Sequence, residues 1–155
     1  MKKKILFVTG TRADFGKLKS IIKLVKFNKK FNIFIAVTGM HLLKEYGNTY
    51  VEVEKSFKKN IFKFKNQSIG NTLETILKNT IEKFSNLVKQ VKPDLIVLHG
   101  DRVESLACAL VGSLNHILTA HIEGGEVSGN IDDSIRHAVT KLCHAHFVGN
   151  KLAKL

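Results

Sequence analysis

Apolar residues fall along this chain in two alternating rhythms. Short continuous runs at 4–8, 31–37, 94–98, 117–122 and 145–148 read as strands buried on both faces, and 61–64 reads as a weaker edge strand. Between them the spacing turns helical. Leu18, Ile21, Ile22 and Val25 share one face while Lys17, Lys19, Lys23 and Lys26 mostly occupy the other. Leu73, Ile76, Leu77, Ile81, Phe84, Val88 and Val91 trace a longer stripe that Pro93 stops. Helices are also expected over 103–114 and 134–143, and a less regular helical stretch over 41–55. Regular alternation of strand and helix predicts an α/β fold, a doubly wound, Rossmann-like parallel sheet covered on both faces. Six strands predict the order 3-2-1-4-5-6, with a switch point between the strand that ends at Gly10 and the one that ends at Gly100. Open sheets of this kind bind ligands at the carboxyl ends of their strands. Those ends carry Gly10-Thr11-Arg12, Gly39-Met40-His41, Gly100-Asp101-Arg102 and His121-Ile122-Glu123.

Composition narrows the reading. The 155 residues suit one domain with a sizeable core. The net charge is +12, but it is unevenly spread: residues 1–92 hold 20 Lys and Arg against 6 Asp and Glu, and residues 93–155 hold 5 against 7. The basic excess lies on Lys-rich helix faces, without the basic groove and interleaved aromatics of a nucleic-acid binder, so no nucleic-acid partner is expected. The opening Met1-to-Val8 run is cut by Thr9-Gly10-Thr11-Arg12, too short for a signal peptide, and no other run approaches a membrane span. A soluble, cytoplasmic protein without a membrane partner is the expectation. Cys108 and Cys143 form no Cys-x-x-Cys pair and read as reduced packing residues.

Chemistry concentrates between 121 and 148. A strand breaks at Gly124-Gly125, and Glu123, Glu126, Asp132 and Asp133 crowd a turn before helical periodicity resumes, with Asp132 placed to cap the helix that carries Arg136 and His137. Carboxylates at a strand end beside a helix N-terminus can be held at different pKa values and share acid and base duties; capping and solvated-turn roles are the alternative. The loop Gly10 to Lys17 fails the Walker A spacing, since five residues separate Gly10 from Gly16 and Leu18 stands where a hydroxyl is needed. It also lacks the Gly-x-Gly-x-x-Gly of dinucleotide folds. A phosphate role stays open through Arg12, Lys17 and the helix N-terminus, against a tight turn with two solvated cations. Asp101 sits at the switch point, fit for acid–base work or for helix capping, and Arg102 suits bidentate contact with a diphosphate. The spacing of His121, His137, His144 and His146 matches no usual zinc pattern, so no metal is expected, and His99 reads as a hydrogen-bonded residue at a strand end.

Four of these segments, in this order, resemble the UDP-N-acetylglucosamine 2-epimerase family. They are Gly10 to Lys17; Thr38 to Leu42 with Tyr46 to Tyr50; His99-Gly100-Asp101-Arg102; and His121 to Val148. The Gly124-Gly125-Glu126-Val127-Ser128-Gly129 string, and Met40 where non-hydrolysing relatives carry glutamine, point to the hydrolysing branch that makes N-acetylmannosamine for sialic acid synthesis. The resemblance covers residues 1–155 as the N-terminal Rossmann-like domain of a GT-B-type, two-domain enzyme, without its UDP-gripping second domain.

By this resemblance Asp101, Glu123 and Asp132 are catalytic, and Arg12, Lys17, Arg102, His41 and Arg136 bind substrate. The implied reaction eliminates UDP with loss of the proton on sugar carbon 2, then adds water, without a metal or redox cofactor. The implied substrate partner is a UDP-sugar, the full-length enzyme is expected to be a homo-oligomer, a dimer or tetramer, and the 155 residues alone are expected to be nearly inactive. Other implied readings are a non-hydrolysing epimerase, a hydrolysing epimerase of a diacetamido sugar nucleotide of the legionaminic acid pathway, and a non-catalytic assembly domain.

Overall fold

The structure is a computed structural model that describes residues 1–154. Six strands form one parallel sheet: β1 (Lys3–Thr9), β2 (Phe31–Val37), β3 (Ile61–Lys63), β4 (Leu95–His99), β5 (Leu118–Ile122) and β6 (Ala145–Phe147). Their spatial order is β3-β2-β1-β4-β5-β6, the order the alternation predicted. The switch point therefore lies between β1 and β4, which pair from Ile5 with Leu95 to Phe7 with Val97.

Helices α1 (Arg12–Phe27) and α2 (Tyr50–Ser56) pack on one face, and α3 (Leu73–Val91), α4 (Val103–Leu114) and α5 (Ile131–Leu142) on the other. Alternating β1 side chains divide between them: Leu6 and Val8 join the core under α3, α4 and α5, while Ile5 and Phe7 join the core under α1. Right-handed crossovers force this division, because the chain turns back across the sheet after β3. One consequence departs from expectation. Coverage of both faces holds for β1 and β2, but beside α1 the cover thins over β4 to β6 among the described residues: Val97 and Ala120 are still buried, and Phe147 is exposed. Leu95, Val97, Ala120, Ile122 and Phe147 line an apolar groove of about 230 Å³ there.

Local sequence sets the helix ends. Thr11 caps α1 and forms a capping box with Asp14. Thr72 caps α3, whose stripe ends at Lys92 in the left-handed region just before Pro93. The 41–55 stretch is not one helix. Its first half is two 3-10 turns, Gly39–Leu42 and Lys44–Tyr46, and only Tyr50–Ser56 is α-helical. Gly47 and Asn48, both at positive φ, break the helical path between them. Helix α5 begins three residues earlier than the periodicity suggested, and its cap is Asn130, whose side chain accepts from the Asp132 amide, so Asp132 lies inside the first turn. Both cysteines are free and buried. No helix among the described residues is long and apolar enough to cross a membrane.

Candidate functional site

The carboxyl ends of β1, β2, β4 and β5 converge on one edge, and buried polar groups gather beneath it. Asp14, Thr38, His41, Asn66, Glu104, His121 and Arg136 are all at most 9% exposed. Burying so many polar side chains is costly unless each finds a partner, and almost all of them do. The His41 ring is clasped between the hydroxyls of Thr9, 2.9 Å from Nε2, and Thr49, 2.7 Å from Nδ1. Burial pushes its pKa down, and the ring is fully enclosed, so it braces the Gly39 turn from below and lines no surface. His121 is equally enclosed, with Nε2 2.7 Å from the Gly100 carbonyl, and burial depresses it too. Gly39 must be glycine. It sits at φ +61°, and a Cβ would lie 2.7 Å from both Glu104 Oε1 and the Gly10 carbonyl.

Three charged groupings stand on this foundation. In the first, Arg136 from α5 reaches across to donate to Asp101 at the end of β4, and its Nη1 donates to Asp133 at 3.0 Å. Burial opposes the charge on Arg136, but the hydrogen bond and charge of Asp101, together with the charges of Asp133 and Glu126, more than reverse that and raise its pKa. Asp133 also accepts from the Ser128 and Gly129 amides, which lower its pKa to about 2. Asp132, the neighbouring acid, takes no part in this network.

The second grouping links four residues in a row. Asp14 Oδ1 lies 3.1 Å from His99 Nδ1, His99 Nε2 lies 3.1 Å from Glu123 Oε2, and Lys17 Nζ donates to Glu123 Oε1 at 2.7 Å. Glu123 holds a left-handed backbone, φ +59°, which is rare for a non-glycine residue and ends β5 abruptly. The Lys17 hydrogen bond keeps Glu123 below the ordinary carboxylate range. His99 moves the other way. Burial pulls it down, and its two carboxylate neighbours more than reverse that.

The third grouping holds the remaining arginines. Arg102 Nε donates to Glu104 at 3.3 Å, and Arg12, 73% exposed, pairs with Glu52 of α2 at 2.9 Å. The loop before α1 is not an empty anion cradle, since Asp14 Oδ2 already accepts from the Gly10 and Thr11 amides. The positive charge at this edge that is not buried lies on Arg12, Lys17 and Arg102, each paired with a glutamate. Among the described residues no three His, Cys, Asp or Glu side chains gather as a metal set.

Comparison with known proteins gives this edge a context. The family model described as UDP-N-acetylglucosamine 2-epimerase matches residues 23–154. The chain belongs to the UDP-N-acetylglucosamine 2-epimerase family. It is 47% identical over 151 residues to the Neisseria meningitidis protein named UDP-N-acetylglucosamine 2-epimerase, covering 97% of this chain and 40% of that one. It is 36% identical over 158 residues to the Legionella pneumophila protein named UDP-N,N'-diacetylbacillosamine 2-epimerase (hydrolyzing), covering 99% and 42%. Among solved structures, the Neisseria meningitidis UDP-GlcNAc 2-epimerase bound to UDP-GlcNAc superposes with a TM-score of 0.86 at 22% identity, over 97% of this chain and 41% of that one. The chain thus spans about two fifths of the length of the curated relatives it matches.

Within the family fold, the sequence-predicted residues divide clearly. Asp101 and Arg136 meet directly; Glu123 and Lys17 meet directly; Arg102 and Arg12 stand on the same rim, each turned to a neighbouring acid. Asp132 sits in the first turn of α5 and joins neither pair, and His41 stays beneath the edge. Asp14 and His99 were not predicted to take part. The Thr11-x-x-Asp14 capping signature was readable, but the partnership with His99, 85 residues away, has no local signal.

Proposed function

We propose that this chain supplies the first domain of a hydrolysing UDP-N-acetylglucosamine 2-epimerase, which converts UDP-N-acetylglucosamine to N-acetylmannosamine and UDP. The observation that carries the reading is the meeting of two separate carboxylate groupings, Asp101–Arg136 and Glu123–Lys17, on the switch-point edge of a fold shared with the family. A carboxylate takes the proton from sugar carbon 2 while the bond from carbon 1 to the diphosphate oxygen breaks, and UDP leaves with the electron pair. Carbons 1 and 2 are then joined by a double bond. Water adds its hydroxyl to carbon 1 and a proton returns to carbon 2 from the opposite face. Asp101, Glu123 and Asp132 are the candidate bases and acids, and Arg12, Lys17 and Arg102 stabilise the charge that develops on the diphosphate.

Arg12 and Lys17 are themselves the exposed cations of their salt bridges, so an arriving diphosphate can draw them away from Glu52 and Glu123 at little cost. The uridine is gripped by a second domain in this reading, and the enzyme works in the cytoplasm as a dimer or tetramer. The decisive assay supplies the chain, with and without a matching second domain, with UDP-N-acetylglucosamine and follows UDP and free sugar together. Free N-acetylmannosamine with equimolar UDP in the two-domain sample supports hydrolysis. A product still attached to UDP gives the non-hydrolysing reaction instead.

A second reading rests on the Legionella relative's name. A UDP-diacetamido sugar is then the substrate, and a panel of both sugar nucleotides separates the two by relative kcat/KM.

A further inference from the structure

His99 has an unusual environment for a side chain with no assigned role. Each ring nitrogen faces a carboxylate oxygen at 3.1 Å, and the side chain is only 10% exposed. Ionised carboxylates only accept, and a neutral imidazole has a single N–H, so one of the two contacts would set acceptor against acceptor. Both contacts are satisfied together only by the imidazolium. The far carboxylate is rigid. Asp14 sits inside the first turn of α1, with Oδ2 fixed by the Gly10 and Thr11 amides at 3.2 and 2.9 Å. The backbone around the ring is rigid as well, since Ser105 Oγ donates to the His99 carbonyl at 2.7 Å and the Gly100 amide donates to the Ile122 carbonyl at 2.9 Å.

The near carboxylate differs on its two sides. Oε2 of Glu123 meets this fixed ring, whereas Oε1 meets Lys17, whose side chain is 60% exposed. We propose that Asp14 and His99 are positioning residues for Glu123: the imidazolium, pinned by Asp14, keeps Oε2 in place while Lys17 leaves Oε1 for the diphosphate of the substrate. Lys17 is thereby the exchangeable partner and His99 the permanent one, so Glu123 stays aimed after its salt bridge opens. This inference rests on the UDP-sugar reading given above. The charged groups facing His99 are Asp14 and, through Glu123, Lys17 from α1, and Glu123 and His121 from β5 and its end. The raised pKa of His99 and the lowered pKa of Asp14, each against the opposing effect of burial, agree with the geometry.

Two readouts test the inference. Nitrogen-15 labelling of the histidines in the 155-residue chain reports ring protonation directly. At pH 6.5 His99 should show both nitrogens protonated, and Asp14→Asn should lower its titration midpoint by about one pH unit or more, the size expected for loss of one adjacent charge. A neutral ring at that pH, or an unmoved midpoint in a variant whose amide spectrum shows the native fold, overturns the proposal. In the two-domain enzyme, Asp14→Asn and His99→Gln should each lower kcat by about tenfold or more with little change in KM, as misaimed catalytic groups do. Asp14→Asn should also shift the alkaline limb of the kcat profile to lower pH, and an unshifted limb contradicts the assignment. If the unsubstituted enzyme turns over no UDP-sugar, the proposed function fails while the titration still judges the clamp.

Discussion

The two edges of the sheet are built to different rules. At the amino ends the polar groups lie on the surface: Lys3 pairs with Asp94 at 2.9 Å with side chains 70% and 39% exposed, and the Lys4 amide donates to the same carboxylate. At the carboxyl ends Asp14, His41, Glu104, His121 and Arg136 are taken out of water and bonded to one another's loops. Exposed ion pairs add little to stability, and buried ones only offset their own desolvation. The carboxyl edge is therefore no better way to hold the fold together. What it supplies is fixed placement of charge, which an adaptable, solvated edge cannot supply. Glu104 sharpens the contrast. Its Oε1 is buried without a hydrogen-bond partner, a cost that among the described residues falls only at this edge.

The comparison can be broken by substitution, and the largest effect is expected at Arg136. Arg136→Ala leaves Asp101 and Asp133 facing each other without their shared cation. Unfolding in urea should show a loss of about 2–4 kcal/mol, below the range for fully buried pairs because Asp101 is 31% exposed. Next comes Gly39→Ala, expected to cost about 2 kcal/mol from the left-handed backbone and the contacts with Glu104 and Gly10. At the amino edge Lys3→Ala should leave the melting temperature unchanged within error, since its ion pair is exposed. A large fall there would erase the distinction between the edges.

The pH dependence refines the same contrast. His99 is raised in the folded state, so its contribution is complete below its ordinary value and lost as pH rises through the folded one. Its partners Asp14 and Glu123 are lowered, so their contribution is present above ordinary carboxylate values and lost as pH falls through the folded ones. The melting-temperature difference between the native protein and His99→Gln should therefore be largest at about pH 5–6.5 and shrink on both sides. His41 and His121, depressed by burial, work in the opposite sense from His99 and add to the loss in acid.

Much of this was legible in the sequence, and the reasons are physical. The strands that fix the topology are continuous apolar runs such as Ile5-Leu6-Phe7-Val8, and Pro93 marks the end of α3, so order and switch point followed from alternation alone. The strand ends carrying Asp101 and Glu123 followed from the order. The pairings did not. Arg136 meets Asp101 across 35 residues and His99 meets Asp14 across 85, and neither spacing leaves a periodic trace. Asn130 displaced Asp132 as the α5 cap because residues 124–130 form an irregular turn, to which hydrophobic periodicity is blind. The thin cover beside α1 over β4 to β6 was hidden too, since fully and partly covered strands can have the same composition.

The proposal that a UDP-sugar binds at the carboxyl edge is tested most directly by mapping amide shifts while UDP-N-acetylglucosamine is added to the labelled chain. The account predicts perturbations at Gly10 to Lys17, Gly100 to Arg102 and Glu123 to Arg136, weakened together by Lys17→Ala with Arg102→Ala. Shifts clustered around Lys3 and Asp94, or none at millimolar ligand, would contradict it.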